Sequence, residues 1–528
     1  MKLNRFYIIS LFAAGLLLST SCSDSFLEKN SLTESSSGNF WQTEDDATMA
    51  LVACYDGLQS NQLYGGGPWD LGQINLECIS DNGGHFNWSG WMEGYDIANG
   101  THSASSWAVG SYWDALYEVI KRCNLLISNI DRVAMSEQKI AQYKAEAIVL
   151  RALMYTHLTM TYNDVPYLTE PLTISNAEAP GTPRAEIVAA EISNLKAAAQ
   201  ALPATADLGR VTRGACYALL GRLALYNKMW DEAISAYREV MKLGYSLDPS
   251  YATLFTQAGQ ASPEVIFSVR FEGPGKSEGT QFNAHWNTPL EALNGTLNLA
   301  DDYYRLDGTR ATEHDYADKL ANGGLDVSLP HIAYWEGRDP RLYTTLFVPG
   351  MYWNGVGGAD HPYGGASASL STIYVMKYFD PADVSDSWDN GQDFYVVRYA
   401  EVLLSLAEAL IEKGGYNATE VTGLVDQVRQ RVGMPTVASV EGANLSKDQL
   451  LDVVRHERRV ELAFEGLRLY DEYRWHILDK SIDAINQERI TYGLAYETRI
   501  YNGERDYKWP IPTDEIDSNP KLHQHDGW

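Results

Sequence analysis

Cysteine is scarce in this chain, with five residues in 528, at positions 22, 54, 78, 123 and 216. No two of them form a CxxC pair and none joins a Cys/His cluster of zinc spacing, so a zinc site has no support in the sequence. If the chain is exported, the last four allow three disulfide connectivities. In a chain this long, Cys54, Cys78, Cys123 and Cys216 read better as small buried apolar residues. Positive charge is also short: 41 Lys and Arg face 69 Asp and Glu, a net charge of -28. Such a chain repels phosphate backbones, which excludes nucleic acid as a partner. Catalytic signatures are missing too. There is no GxSxG elbow, no HExxH, no phosphate-cradling GxxxxGK[ST] and no GxGxxG after a strand. The expectation is a protein that is not an enzyme and carries no cofactor or metal. A glycosidase needs only two carboxylates about 5–9.5 Å apart and leaves no motif, so a surface hydrolase stays as a distant alternative. Asp81-Asn82-Gly83 and Asp360-His361 could each join a metal or polar site, but turn chemistry explains the first equally well.

Long apolar runs are limited to one. Residues 8–18, IISLFAAGLLL, follow Lys2 and Arg5, which is the pattern of an export signal and too short for a spanning helix. Ser19, Thr20 and Ser21 lead to Cys22, so residues 1–21 read as a lipoprotein signal peptide with Cys22 as the lipidated N-terminus. The usual pattern places Leu three residues before the Cys; here Ser19 stands there and Leu18 lies one further back. Plain secretion, with Cys22 an ordinary thiol, is the alternative. Residues 22–42 are a Ser- and Asn-rich tether.

What the chain has in quantity is aromatics, with 14 Trp and 33 Tyr, and helical periodicity. Helices are expected at 43–59, 106–132, 136–162, 183–201, 212–227 and 231–243, then at 395–413, 418–432 and 447–478. In 212–243 the alternation of Gly214, Ala218 and Ala224 with Trp230, Ala233, Ala236 and Tyr237 has the small-large pattern of a tetratricopeptide repeat, or of an ordinary helix pair. VIFSVRF at 265–271 alternates like a strand. Between these lie two loop-rich stretches, 60–105 and about 245–393, rich in rings. Loops of this length inside a compact chain are usually functional or disordered. Trp69, His85, Phe86, Trp88, Trp91 and Tyr95 in the first argue against disorder.

The stretch 451–475 organises the rest. Val453, Val460, Phe464 and Leu467 would share one face of a helix, and Glu457, Glu461 and Glu465 form a carboxylate stripe on it. Like charges four apart repel, so the stripe calls for cations from elsewhere in the fold, with Arg398 a candidate. A set of catalytic carboxylates is the competing reading. ERRVELAFEGLRLYDEYRW (457–475), FYVVRYAEVLLSLAEAL (394–410) and the closing WPIPTDEIDSNPKLHQHDGW resemble the SusD/RagB family of nutrient-binding outer-membrane lipoproteins of Bacteroidetes. SSWAVGSYWDALYEVIKRCNLLISNID (105–131) and RALMYTHLTMTYNDVPYL (151–168) look like the family's paired N-terminal helices.

The expected fold is mostly α, a tetratricopeptide-like superhelix of helix pairs with long irregular loop-rich insertions and little strand. Residues 43–245 form its N-terminal helical region and 246–528 its C-terminal region with the ligand-binding loops. The resemblance implies capture of a nutrient at the cell outer membrane, facing outside, and delivery to a SusC-like TonB-dependent transporter. An oligosaccharide or polysaccharide is the leading ligand and a peptide, as in RagB-type uptake, the alternative. The candidate contacts are Asp81, Trp88, Trp91, Tyr95, Trp286, Trp335, Tyr352 and Trp353, because large rings in Gly- and Asn-rich loops usually mark a binding patch.

Overall fold

The computed structural model describes residues 40–85, 94–286, 293–311, 335–348, 351–354, 360–362, 373–380, 386, 388–494 and 496–528; at His85, Trp286, 352–354 and 360–362 it describes the backbone alone. Helices of eight residues or more are α1 Glu44–Asp56, α2 Trp107–Asn129, α3 Glu137–Thr161, α4 Arg184–Ala201, α5 Arg213–Tyr226 and α6 Trp230–Met241, followed by α7 Tyr399–Lys413, α8 Ala418–Arg431, α9 Lys447–Leu462, α10 Arg468–Trp475 and α11 Leu478–Tyr492. Their starts are chemically marked. Thr43 opens α1 with a capping box to Asp46, and Ser446 opens α9 with one to Gln449. Along the chain α2 packs on α3, α3 on α4, α4 on α5 and α5 on α6. Small residues let α5 approach closely: a Cβ at Gly221 would lie 2.5 Å from the Tyr237 ring on α6. The fold is therefore mostly helical, of the helix-pair kind expected.

After α6 the chain leaves this stack for the long loop-rich stretch and rejoins it at α7, which packs back on α6. One apolar core runs through both regions, and the buried Arg222–Glu401 pair at 2.6 Å ties α5 to α7 across it. The strands are short. Val265–Val269 pairs antiparallel with Phe394–Arg398, and a four-stranded sheet takes Gly83–His85, Leu293–Gly295, Tyr374–Val375 and Leu346–Phe347 in that spatial order. The tail is packed down: Trp509 is fully buried, with its backbone N–H on the Thr161 carbonyl and its indole N–H on the Tyr473 hydroxyl.

Two expected helices are corrected. Residues 394–398 are strand rather than the start of α7, because their backbone groups are taken by Val265–Val269. The expected 447–478 helix breaks after Leu462. Phe464 and Gly466 adopt positive φ (61° and 77°), and the chain restarts as α10. The buried carboxylate of Glu77 causes the break, accepting the backbone N–H groups of Leu467 (2.8 Å) and Arg468 (3.1 Å) at the new N-terminus. All four described cysteines are buried and free.

Glu488 on α11 makes the fold sensitive to pH. Its carboxylate accepts from Leu297 N (2.9 Å) and Asn298 N (2.8 Å); burial nevertheless pushes its pKa up to about 7. A folded value above the unfolded one, about 4.3, means a stabilising contribution that is complete in acid and lost as pH rises through 7. Glu488→Gln is expected to flatten the stability profile between pH 5 and 8 by about 1 kcal/mol per unit, measured by denaturant titration at each pH. Parallel profiles for parent and variant would refute it.

Candidate functional site

The carboxylate stripe is the frame on which the loops hang. Glu461 meets Arg431 at 2.5 Å, Arg398 at 2.6 Å and Arg341 at 2.9 Å. Glu457 pairs with Arg341 (2.6 Å) and Arg429 (2.8 Å), and Glu465 with Arg398 and Lys377, both at 2.7 Å. Glu264 completes the group at 2.6 Å from Arg398. All of these side chains are buried. Burial alone would raise the Glu461 pKa, but three guanidinium groups outweigh it and hold the carboxylate well below its usual range. Burial likewise lowers Lys377 to about 8, with Glu465 acting against it. The Arg398 partnership is as expected, and beside the stripe lies a recess of about 10 Å3 at Glu457, Arg341 and Arg429. These carboxylates dock α9 to the loop region.

Around this frame the first loop is shaped by glycine. Gly66 has φ 71°, and a Cβ there would lie 2.1 Å from the Phe282 ring, so the chain turns only without a side chain. The Gly66 carbonyl accepts from His285 Nε2 at 2.9 Å; burial pulls that imidazole's pKa down to about 4, leaving it neutral. Asn75 Nδ2 holds the Gly67 and Asp70 carbonyls at 2.8 and 2.5 Å. The loop thus fixed presents Trp69 outward. Trp69 stacks on Trp388, with ring centroids 5.2 Å apart and planes 19° from parallel, although the two are 41% and 37% exposed. Beside Trp388, the Asp389 carboxylate accepts the backbone N–H groups of Gly275, Lys276, Ser277 and Gly279, which tethers the neighbouring turn.

The expected site residues fall in different places. Asp81 is 5% exposed and its carboxylate is taken by Arg468 at 2.7 Å and Arg459 at 3.1 Å. Trp335 is 2% exposed, under the Arg338 guanidinium. Neither offers a surface to a ligand in this conformation, because ion pairing and core packing have claimed them. Tyr95 opens a short helix, Tyr95–Ala98, and is half-buried. Trp286 ends the turn Phe282–Trp286, and Tyr352 and Trp353 lie in a ribbon in which Tyr352–Asn354 pairs with Asp360–Pro362. Trp88, Trp91 and Cys22 lie outside the described residues. Sequence reasoning missed Trp388; its signal was an aromatic set among Asp, Ser, Asn and Gly in 384–391. Two outward rings stacked in this way suit binding by stacking.

Residues 263–528 match the model of the SusD family, and residues 25–225 match one described as starch-binding, associating with outer membrane. Among curated relatives, the SusD-like protein P25 of Formosa agariphila is 27% identical over 97% of each chain. The starch-binding protein SusD of Bacteroides thetaiotaomicron is 22% identical, over 83% of this chain and 82% of its own. Among solved structures, a SusD-like carbohydrate binding protein from Bacteroides fragilis superposes with a TM-score of 0.78 at 26% identity, covering 92% of this chain and 100% of that one.

Proposed function

This chain belongs to the SusD family, and on that premise we propose that it captures an oligosaccharide or polysaccharide at the outer membrane and delivers it to a SusC-like TonB-dependent transporter. In this reading Cys22 carries the lipid anchor and the protein faces outward. The observation that carries the binding role is the stacked Trp69–Trp388 pair. Burying one such ring contributes up to about 3 kcal/mol, and leaving two side by side in water is uneconomic unless a partner covers them. A sugar ring laid on an indole combines apolar burial with C–H contacts to the negative face and needs no acid or base. The names of the Bacteroides thetaiotaomicron and Bacteroides fragilis relatives, starch-binding and carbohydrate binding, support the ligand class. Trp88, Trp91, Tyr95, Trp286, Tyr352 and Trp353 are proposed to extend the platform.

Affinity electrophoresis of the purified protein through a panel of polysaccharide gels tests this. At least one polysaccharide is expected to retard the parent, and Trp69→Ala and Trp388→Ala are each expected to weaken that retention roughly tenfold, about 1.4 kcal/mol, at unchanged melting temperature. Retention by peptide ligands and by no glycan would move the protein to the peptide-uptake class. Affinity equal to the parent's in both variants would remove the platform.

A further inference from the structure

A cavity opens beside α2, built from residues that the aromatic platform does not use. It encloses about 350 Å3 between α2, the 166–179 loop and residues 515–519 of the tail. Trp113 and Tyr117 line it, their ring centroids 4.9 Å apart, with Leu168 and Leu172 as apolar wall. Asp114 and Glu515 line it as well. Neither carboxylate makes a hydrogen bond or ion pair with any described residue, and the lining cation Lys121 is already engaged by Glu118 at 2.8 Å. Trp113 is 2% exposed, and its indole N–H donates to nothing among the described residues.

These groups define a ligand by subtraction. Glu515 is half-buried and Asp114 beside it is exposed; two like charges so placed, with no cation engaged, repel and favour a positive charge between them. Aromatic faces beside them attract the same charge. The indole N–H supplies what a pure ammonium would leave unused, a donor for a hydroxyl or ring oxygen. We propose that this pocket binds an amino-sugar unit, its ammonium between Asp114 and Glu515, its ring against Tyr117 and an oxygen on the Trp113 N–H. Burial, then the nearby Asp514, raises the Asp114 pKa; burial, then Asp114 and Asp514, raises that of Glu515. An ammonium relieves both. The pocket also has room for a longer chain, because Asp114 and Glu118 are shared with an adjoining groove of about 600 Å3 that reaches Trp107, which is 75% exposed.

Calorimetric titration of the purified chain with three probes tests the proposal: glucosamine, N-acetylglucosamine, which keeps the ring and loses the charge, and an Nα-acetylated lysine amide, which keeps the charge and lacks the ring. Glucosamine is expected to bind at least about tenfold tighter than either. The double variant Asp114→Asn, Glu515→Gln is expected to lose that preference at unchanged melting temperature, and Trp69→Ala to keep it. Absence of glucosamine binding, equal binding of N-acetylglucosamine or of the lysine amide, or a preference that survives the double variant would overturn it. The two sites share no residue, so failure here leaves the Trp69–Trp388 platform standing, and loss of the platform leaves this pocket.

Discussion

Glu461→Ala is expected to lower the unfolding free energy by about 4 kcal/mol while glycan binding by the folded fraction stays as in the parent. The reason is the company Glu461 keeps. Arg431, Arg398 and Arg341 all lie within 2.9 Å of its carboxylate, and these side chains are almost wholly buried. Truncating the anion leaves three guanidinium groups facing one another in a low-dielectric interior, and that uncompensated charge dominates the cost. Glu457 and Glu465 soften it by sharing Arg341 and Arg398. The same centre sets the response to acid. Burial opposes ionisation of Glu457, Glu461 and Glu465, yet their cations hold all three pKa values below the usual range. A depressed folded pKa stabilises above the unfolded value, about 4.3, and the contribution is lost as pH falls through the folded one. The parent should therefore lose stability steeply in acid, and the variant less so. Denaturant titrations at pH 7 and 3 would show it. A loss under about 1 kcal/mol, or a fully stable variant without binding, would contradict the structural role and return these glutamates to chemistry.

Cys22→Ala is expected to move the protein from the membrane fraction to the soluble exported fraction almost completely. Under the proposed lipid anchor, the acyl chains on Cys22 hold the protein in the membrane; among the described residues no helix is long and apolar enough to cross one. Each buried CH2 of a lipid chain contributes about 0.8 kcal/mol to membrane binding, so losing the acylated thiol removes the whole term at once. Fractionation of cells expressing parent and variant reads the result. Protease treatment of intact cells, which should degrade the anchored parent, reads the outward orientation. A variant that still pellets with membranes would end the lipid-anchor reading.

The helices from 107 to 241 were legible because periodicity of 3.6 is a local property, and their caps, such as Ser136 and Thr212, are local too. The stripe at 457–465 announced its need for cations for the same reason, and Arg398 was within reach of inference. Arg341, Lys377 and Glu264 were not. They come from the loop-rich stretch, more than 80 residues in sequence from the charged partners they meet. The break at Gly466 was equally hidden, since the Glu77 carboxylate that caps α10 arrives from nearly 400 residues away.

Ring exposure was the hardest property to read. Trp69 and Trp335 both sit in irregular sequence, yet one stands outward against Trp388 and the other is sealed under Arg338. By itself the sequence determined the helical class and the need for a paired charge centre, which rest on local spacing and composition, and its motifs carried the resemblance to the family. Only the tertiary structure decided which cations close that centre, where α9 ends, and which rings meet solvent. Each of those depends on groups distant in the chain arriving at one place, and local periodicity carries no record of that.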